Sequence, residues 1–171
     1  MITITSAEAA KLLRTLKENY QAAILKEEKL REFRASVGED PESVRPEYDY
    51  EAFRDELART EAKIRRLKHA INVFNTTHTV PEFGMTVDEM LVWLPQITAR
   101  KNKLAGMISK LPKERVESHY GRMTNVIDYN YLNYDLAKAK EDYDRTCEEL
   151  ARAQLALDRV NTADTFEIDV D

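Results

Sequence analysis

Apolar residues recur in alternating steps of three and four along four stretches of the chain, the spacing that gathers them into one stripe of an α-helix. The first stripe runs Ala9, Leu13, Leu16, Tyr20, Ala23, Glu27 and Leu30, with Glu27 as an acidic interruption, and ends near Ser36. The second carries Tyr50, Phe53, Leu57, Thr60, Ile64, Leu67, Ile71 and Phe74. The third follows with Val87, Met90, Leu94, Ile97, Lys101, Leu104, Ile108 and Leu111, and contains Pro95, which predicts a kink or the loss of its first turns. The fourth begins near Tyr129 and passes through Leu132, Leu136, Ala139, Tyr143, Thr146, Leu150, Ala153, Leu157 and Val160. Thr5 with Glu8, and Thr86 with Glu89, have the capping-box spacing that starts a helix.

Short connections force consecutive helices antiparallel. An acidic, Pro/Gly-containing loop at residues 37–47 joins the first pair, and residues 75–85, with Pro81 and Gly84, separate the pairs. Residues 113–128 read as irregular or β-like, with Val116 to Val126 as a short hairpin around Gly121, and the acidic tail at 162–171 reads as non-helical. The expected fold is therefore all-α: four long antiparallel helices arranged as two repeated hairpins, residues 1–79 and 80–171. They form one helical domain packed as a coiled-coil-like four-helix bundle. The stripes are satisfied by closure within one chain or across a homodimer.

The two pairs also repeat in their polar residues. A shift of 81 puts Thr5 on Thr86 and Glu8 on Glu89, and a shift of 86 puts Tyr48-Asp49 on Tyr134-Asp135 and Thr60 on Thr146. The same shift puts Asn75-Thr76 on Asn161-Thr162, where asparagine can cap a helix end in the left-handed conformation. Polar matches carry the argument, because any two apolar stripes can be aligned.

Charge then narrows the partners. A net charge of −5, with Arg65-Arg66 as the densest basic spot, argues against a nucleic-acid binder. The single Cys147 permits no internal disulfide and reads as a packed thiol in a reducing compartment. The first residues lack the basic and apolar regions of a secretory signal, and no apolar run approaches the ~20 residues of a membrane span. The expected location is cytoplasmic.

No catalytic, cofactor or metal constellation is predicted. Inward-facing Glu-x-x-His pairs, a Gly-rich phosphate loop and paired cysteines are all missing, and His69, His78 and His119 are scattered. Two sets of residues stand out instead. Tyr120, Tyr129, Tyr131 and Tyr134 form a candidate interaction surface or cover the end of the bundle. Glu27, Thr60 and Thr146 form a candidate polar layer on the seams, the kind of feature that fixes register, with an exposed seam edge as the alternative for Glu27.

Three runs of sequence resemble a known family. Gly38-Glu39-Asp40-Pro41, the stretch from Leu57 through Ile71-Asn72-Val73-Phe74-Asn75-Thr76, and Gly84-Met85-Thr86-Val87-Asp88-Glu89-Met90-Leu91 are similar to the septicolysin-like family of small bacterial helical proteins. The ending Leu157-Asp158-Arg159-Val160-Asn161-Thr162 is similar to that family's C-terminal helix end, though the family tends to have Gln in place of Asp158 and Trp in place of Thr162. The resemblance implies a helical fold and, by the family name, a cytolysin. The residues themselves lead to a non-enzymatic protein acting through protein–protein contacts, expected as a homo-oligomer without cofactor, nucleic acid or membrane span. A lytic, membrane-active protein is the alternative, and an RNA-binding helical arm a third.

Overall fold

In the computed structural model, residues 1–116 and 127–169 are described. The chain begins with a strand, β1 (Ile2–Thr5), and passes directly into α1 (Ser6–Leu30). Thr5 caps α1 by accepting from the Glu8 N–H, while the Glu8 carboxylate accepts from the Thr5 N–H at 2.8 Å. The helix stops at Leu30, one and a half turns short of Ser36, and a single turn, α2 (Pro41–Val44), lies within the acidic loop. There Asp40 caps and Pro41 occupies the first helical position, where a missing N–H costs nothing.

The next helix, α3 (Tyr50–Thr77), is capped by Asp49 and leads into β2 (Thr79–Val80). A turn at residues 81–84 returns the chain to β3 (Met85–Thr86), which pairs with β2. Gly84 has φ +64° there, a conformation that a side chain at that position would strain. Then α4 (Val87–Ile108) starts on the second capping box, Thr86 with Glu89. Pro95 neither removes its first turns nor ends it. Proline and Leu91 both lie on the exposed side, so the Leu91 carbonyl that loses its amide partner is on the wet face.

The expected all-α four-helix bundle is not what the chain forms. Among the described residues three two-stranded ladders join the helices, the third made by β4 (Lys113–Arg115) and β5 (Tyr129–Tyr131). The last long helix, α5 (Leu136–Ala163), therefore starts at Leu136 and not near Tyr129. Tyr129 and Leu132 fit the helical stripe by coincidence, but Asp135 caps the helix, accepting from the N–H groups of Ala137 and Lys138. The tail, read as non-helical, holds a strand: Thr165–Ile168 forms β6, which pairs antiparallel with β1. The hairpin expected around Gly121 lies outside the described residues. Asn75 is not a left-handed cap, since no described residue other than glycine has positive φ, and it sits inside α3 with its Oδ1 buried and unpartnered.

The chain divides into two compact units, Met1–Thr79 with Asp158–Asp171, and Val80–Leu157. In the first, α1 and α3 pair antiparallel, and the Tyr20 hydroxyl donates to Glu61 at 2.7 Å. The β1/β6 register sets Ile2 opposite Ile168 and Ile4 opposite Phe166, so the apolar positions share one face and the Thr and Glu positions the other. That face closes a core of Ala9, Leu67 and Ile168, with Leu12, Leu13, Leu16 and Ile71 packed against it. In the second unit, Val80, Val87, Met90 and Ile97 are almost wholly buried. Arg100 faces Glu149 at 3.7 Å between α4 and α5, and Arg152 holds Glu82 at 2.9 Å.

The same hydrogen bonds recur in the two halves. Besides the capping boxes and the Asp49 and Asp135 caps, Thr60 and Thr146 each bond the carbonyl four residues back, Glu56 and Asp142. Thr76 and Thr162 do the same to Asn72 and Asp158. Tyr48 and Tyr134 each send a hydroxyl 2.7 Å back to the preceding helix, to the Glu27 carboxylate and the Met107 carbonyl. Even the strands correspond, since Thr79-Val80 falls on Thr165-Phe166 at the shift of 86 and Ile4-Thr5 on Met85-Thr86 at the shift of 81.

Candidate functional site

The β4/β5 ladder begins where Pro112 closes off α4 and the chain turns back on itself. Its register places Lys113 opposite Tyr131, Glu114 opposite Asn130 and Arg115 opposite Tyr129. Two further bonds extend it, Val116 N–H to the Asp128 carbonyl at 3.0 Å and Leu132 N–H to the Pro112 carbonyl at 3.2 Å. Alternation along a strand then puts Lys113, Arg115, Tyr129 and Tyr131 on one face.

The Lys113 ammonium lies 4.0 Å from the Tyr129 ring centroid and 5.4 Å from that of Tyr131. The rings themselves are 6.4 Å apart and tilted by 52°. An exposed cation–π contact contributes about 0.5–1 kcal/mol, enough to bias the rotamers of both rings. Both tyrosines stay open to solvent, at 42% and 65% exposure, and Leu111, Val116 and Ile127 beside them are exposed as well. A cavity of about 380 Å³ adjoins the ladder, lined by Lys103, Met107, Lys110, Glu114, Asn130 and Tyr131 among others.

The charge here opposes that of the whole chain. Among the described residues from Arg100 to Asp128 there are six Lys and Arg against two Asp and Glu, in a chain of net charge −5. Lys103, Lys110, Lys113 and Arg115 are in no salt bridge among the described residues. A search for adjacent basic residues misses this surface, because its charges are spaced along residues 103–115; what the ladder adds is the tyrosines of β5, set opposite Lys113 and Arg115.

Of the four candidate tyrosines, Tyr129 and Tyr131 are brought together on this face. Tyr134 is half-buried and its hydroxyl is committed to Met107, while Tyr120 lies outside the described residues. The three seam residues bond separately. Glu27 accepts from Tyr48, which raises the Tyr48 phenol above its ordinary range, and the Thr60 and Thr146 hydroxyls bond within their own helices. Lys101 is partly exposed, and Cys147 is half-buried beside Tyr143, whose phenol is raised mainly by that contact.

Elsewhere, His78 Nε2 meets the Asp164 carboxylate at 2.6 Å and its ring stacks on Phe74 at 4.6 Å. This pair ties the end of α3 to the residue that precedes β6. Among the described residues no group of three or more His, Cys, Asp or Glu side chains is placed to hold a metal ion. No described helix is long and apolar enough to cross a membrane.

Fold and surface together define a class: a protein of paired long helices joined by short ladders, with an aromatic, basic ribbon on one of them. A crystal structure of a functionally unknown conserved protein from Corynebacterium diphtheriae has a similar fold. It aligns with a TM-score of 0.61 over 97% of this chain and 100% of that one, at 16% identity. Likeness at that identity extends to the fold alone. No protein-family model and no curated protein sequence matches the chain.

Proposed function

We propose that this chain is a non-enzymatic cytoplasmic protein that acts through protein–protein contacts and self-associates, with the β4/β5 ladder as its contact surface. The observation that carries the reading is the Tyr129–Tyr131 pair, pre-ordered by Lys113 and flanked by exposed Leu111 and Ile127. Tyrosine offers large contact area and a hydroxyl for little lost entropy, and it is enriched where proteins meet. Exposed apolar side chains around such a pair gain free energy when a partner removes them from water, at about 25 cal/mol per Å².

The lytic alternative rests on the septicolysin-like resemblance alone. Native mass spectrometry of the purified chain tests the contact reading. Self-association is expected at micromolar concentration, and the double variant Tyr129→Ser, Tyr131→Ser should reduce it without changing the circular dichroism spectrum. A chain that stays monomeric, or a double variant that associates as tightly as the parent, overturns the proposal.

A further inference from the structure

We infer that the ladder docks on the acidic turn between α1 and α3 of a second copy of this chain. The inference rests on the contact reading above and names its partner.

The acidic turn is the chemical complement of the ladder. From Glu39 to Glu56 there are eight Asp and Glu residues against two arginines. Both arginines are already engaged, Arg45 with Glu42 at 2.7 Å and Arg54 with Asp55 at 3.0 Å. Glu47, Glu51 and Glu56 are in no salt bridge among the described residues. The turn also carries exposed apolar side chains: Val37 is fully exposed, Tyr50 is 60% exposed, and Phe33 and Val44 are over a third exposed. Each surface therefore pairs a one-signed excess of charge with apolar groups left in water.

Charge decides the pairing. Ladder against ladder and turn against turn bring like charges together, which costs several kcal/mol in a desolvated contact. Ladder against turn brings opposite charges together, so the contact joins two different surfaces of identical chains. A single-stranded nucleic acid is the competing occupant, since exposed tyrosines beside Lys and Arg also suit stacked bases and phosphates. The excess of unpaired carboxylates elsewhere on the chain repels a polyanion, whereas it supplies the complement in a second copy. The exposed Leu111 and Ile127 likewise match Val37, Tyr50 and Val44, not phosphate.

Sedimentation velocity on the full chain at low salt tests this, with two charge-reversed double variants, Lys113→Glu with Arg115→Glu, and Glu47→Lys with Glu51→Lys. All four positions are exposed, and circular dichroism verifies that each variant folds. Each variant alone should self-associate at least about tenfold more weakly than the parent. Mixing the two should restore association, because every reversed surface then meets its new complement. If the parent self-associates and the turn variant does so equally well, or the mixture does not recover, the partner surface lies elsewhere and the inference fails while the ladder remains a contact surface. If the parent is monomeric, the contact reading fails and takes the inference with it. A monomeric parent that shifts a single-stranded oligonucleotide in a salt-sensitive way, with the shift lost in the Lys113→Glu, Arg115→Glu variant, assigns the ladder to nucleic acid and overturns the inference.

Discussion

Replacing Leu67 by alanine should unfold the first unit at distinctly lower denaturant. Leu67 is fully buried in the small core with Ala9 and Ile168, beneath the face of the β1/β6 ladder that carries Ile4 and Phe166. Truncating a buried leucine removes three carbons from apolar contact and leaves a cavity, at a cost of about 2–5 kcal/mol. The neighbours Leu12, Leu13, Leu16 and Ile71 are only partly buried and can relax toward the gap, which favours the middle of that range, about 3 kcal/mol. At roughly 1–3 kcal/mol per molar of urea, the midpoint should fall by about 1–3 M. Two probes separate the units. Trp93 is the single tryptophan and lies in the second unit, so its fluorescence follows that unit, whereas far-UV circular dichroism follows all the helices. Leu25→Ala is the control, because Leu25 is 58% exposed and its loss should stay within about 0.5 kcal/mol. A Leu67→Ala loss below about 1 kcal/mol, or one equal to the control, would refute the assigned core.

Three further outcomes follow from the hydrogen bonds. Tyr134→Phe removes the donor to the Met107 carbonyl and should cost about 1 kcal/mol in chemical denaturation, with a negligible cost counting against the closure of the second helix pair. Glu8 and Glu89 are held below their ordinary value of 4.5, chiefly by accepting the backbone N–H of Thr5 and Thr86. Their folded values are depressed, so the stabilisation is fully present above 4.5 and is lost as pH falls through the folded values. The double variant Glu8→Ala, Glu89→Ala should flatten the acid limb of a stability–pH profile, and an unchanged limb would contradict the capping geometry. Tyr48 is raised above 10.0, first by its hydrogen bond to Glu27, so its contribution is complete below 10.0 and disappears as pH rises through the folded value. Tyrosinate absorbance should show a late-ionising component, shared with Tyr20 and Tyr143, that Tyr48→Phe reduces; an identical titration curve in that variant would count against the Tyr48–Glu27 bond.

The β4/β5 surface was half legible. Tyr129 and Tyr131 stood out as residues, but Tyr134 was grouped with them although its hydroxyl is used internally. Proximity in sequence cannot tell an exposed phenol from one whose hydroxyl closes a hairpin. The basic character of the ladder was hidden for a similar reason, since Lys110, Lys113 and Arg115 stand apart in the chain with uncharged and acidic residues between them.

The residues alone determined the long helices, because a stripe recurring every three and a half positions over 20 or more residues has one low-energy solution, and local hydrogen bonds mark its start. Thr5 with Glu8, Thr86 with Glu89, and the aspartates at 49 and 135 act within four residues of themselves, so their role is fixed before anything packs. The tertiary structure alone decided the strands. Ile2-Thr3-Ile4-Thr5 and Thr165-Phe166-Glu167-Ile168 alternate as strands do, but each is four residues long and unstable until it finds a partner at the far end of the chain. Tyr129 fits the stripe of the fourth helix, and only pairing with Lys113–Arg115 makes Tyr129-Asn130-Tyr131 a strand instead. A helix satisfies its backbone from within, whereas a strand must borrow hydrogen bonds from a distant segment, and that segment is chosen only when the chain has folded.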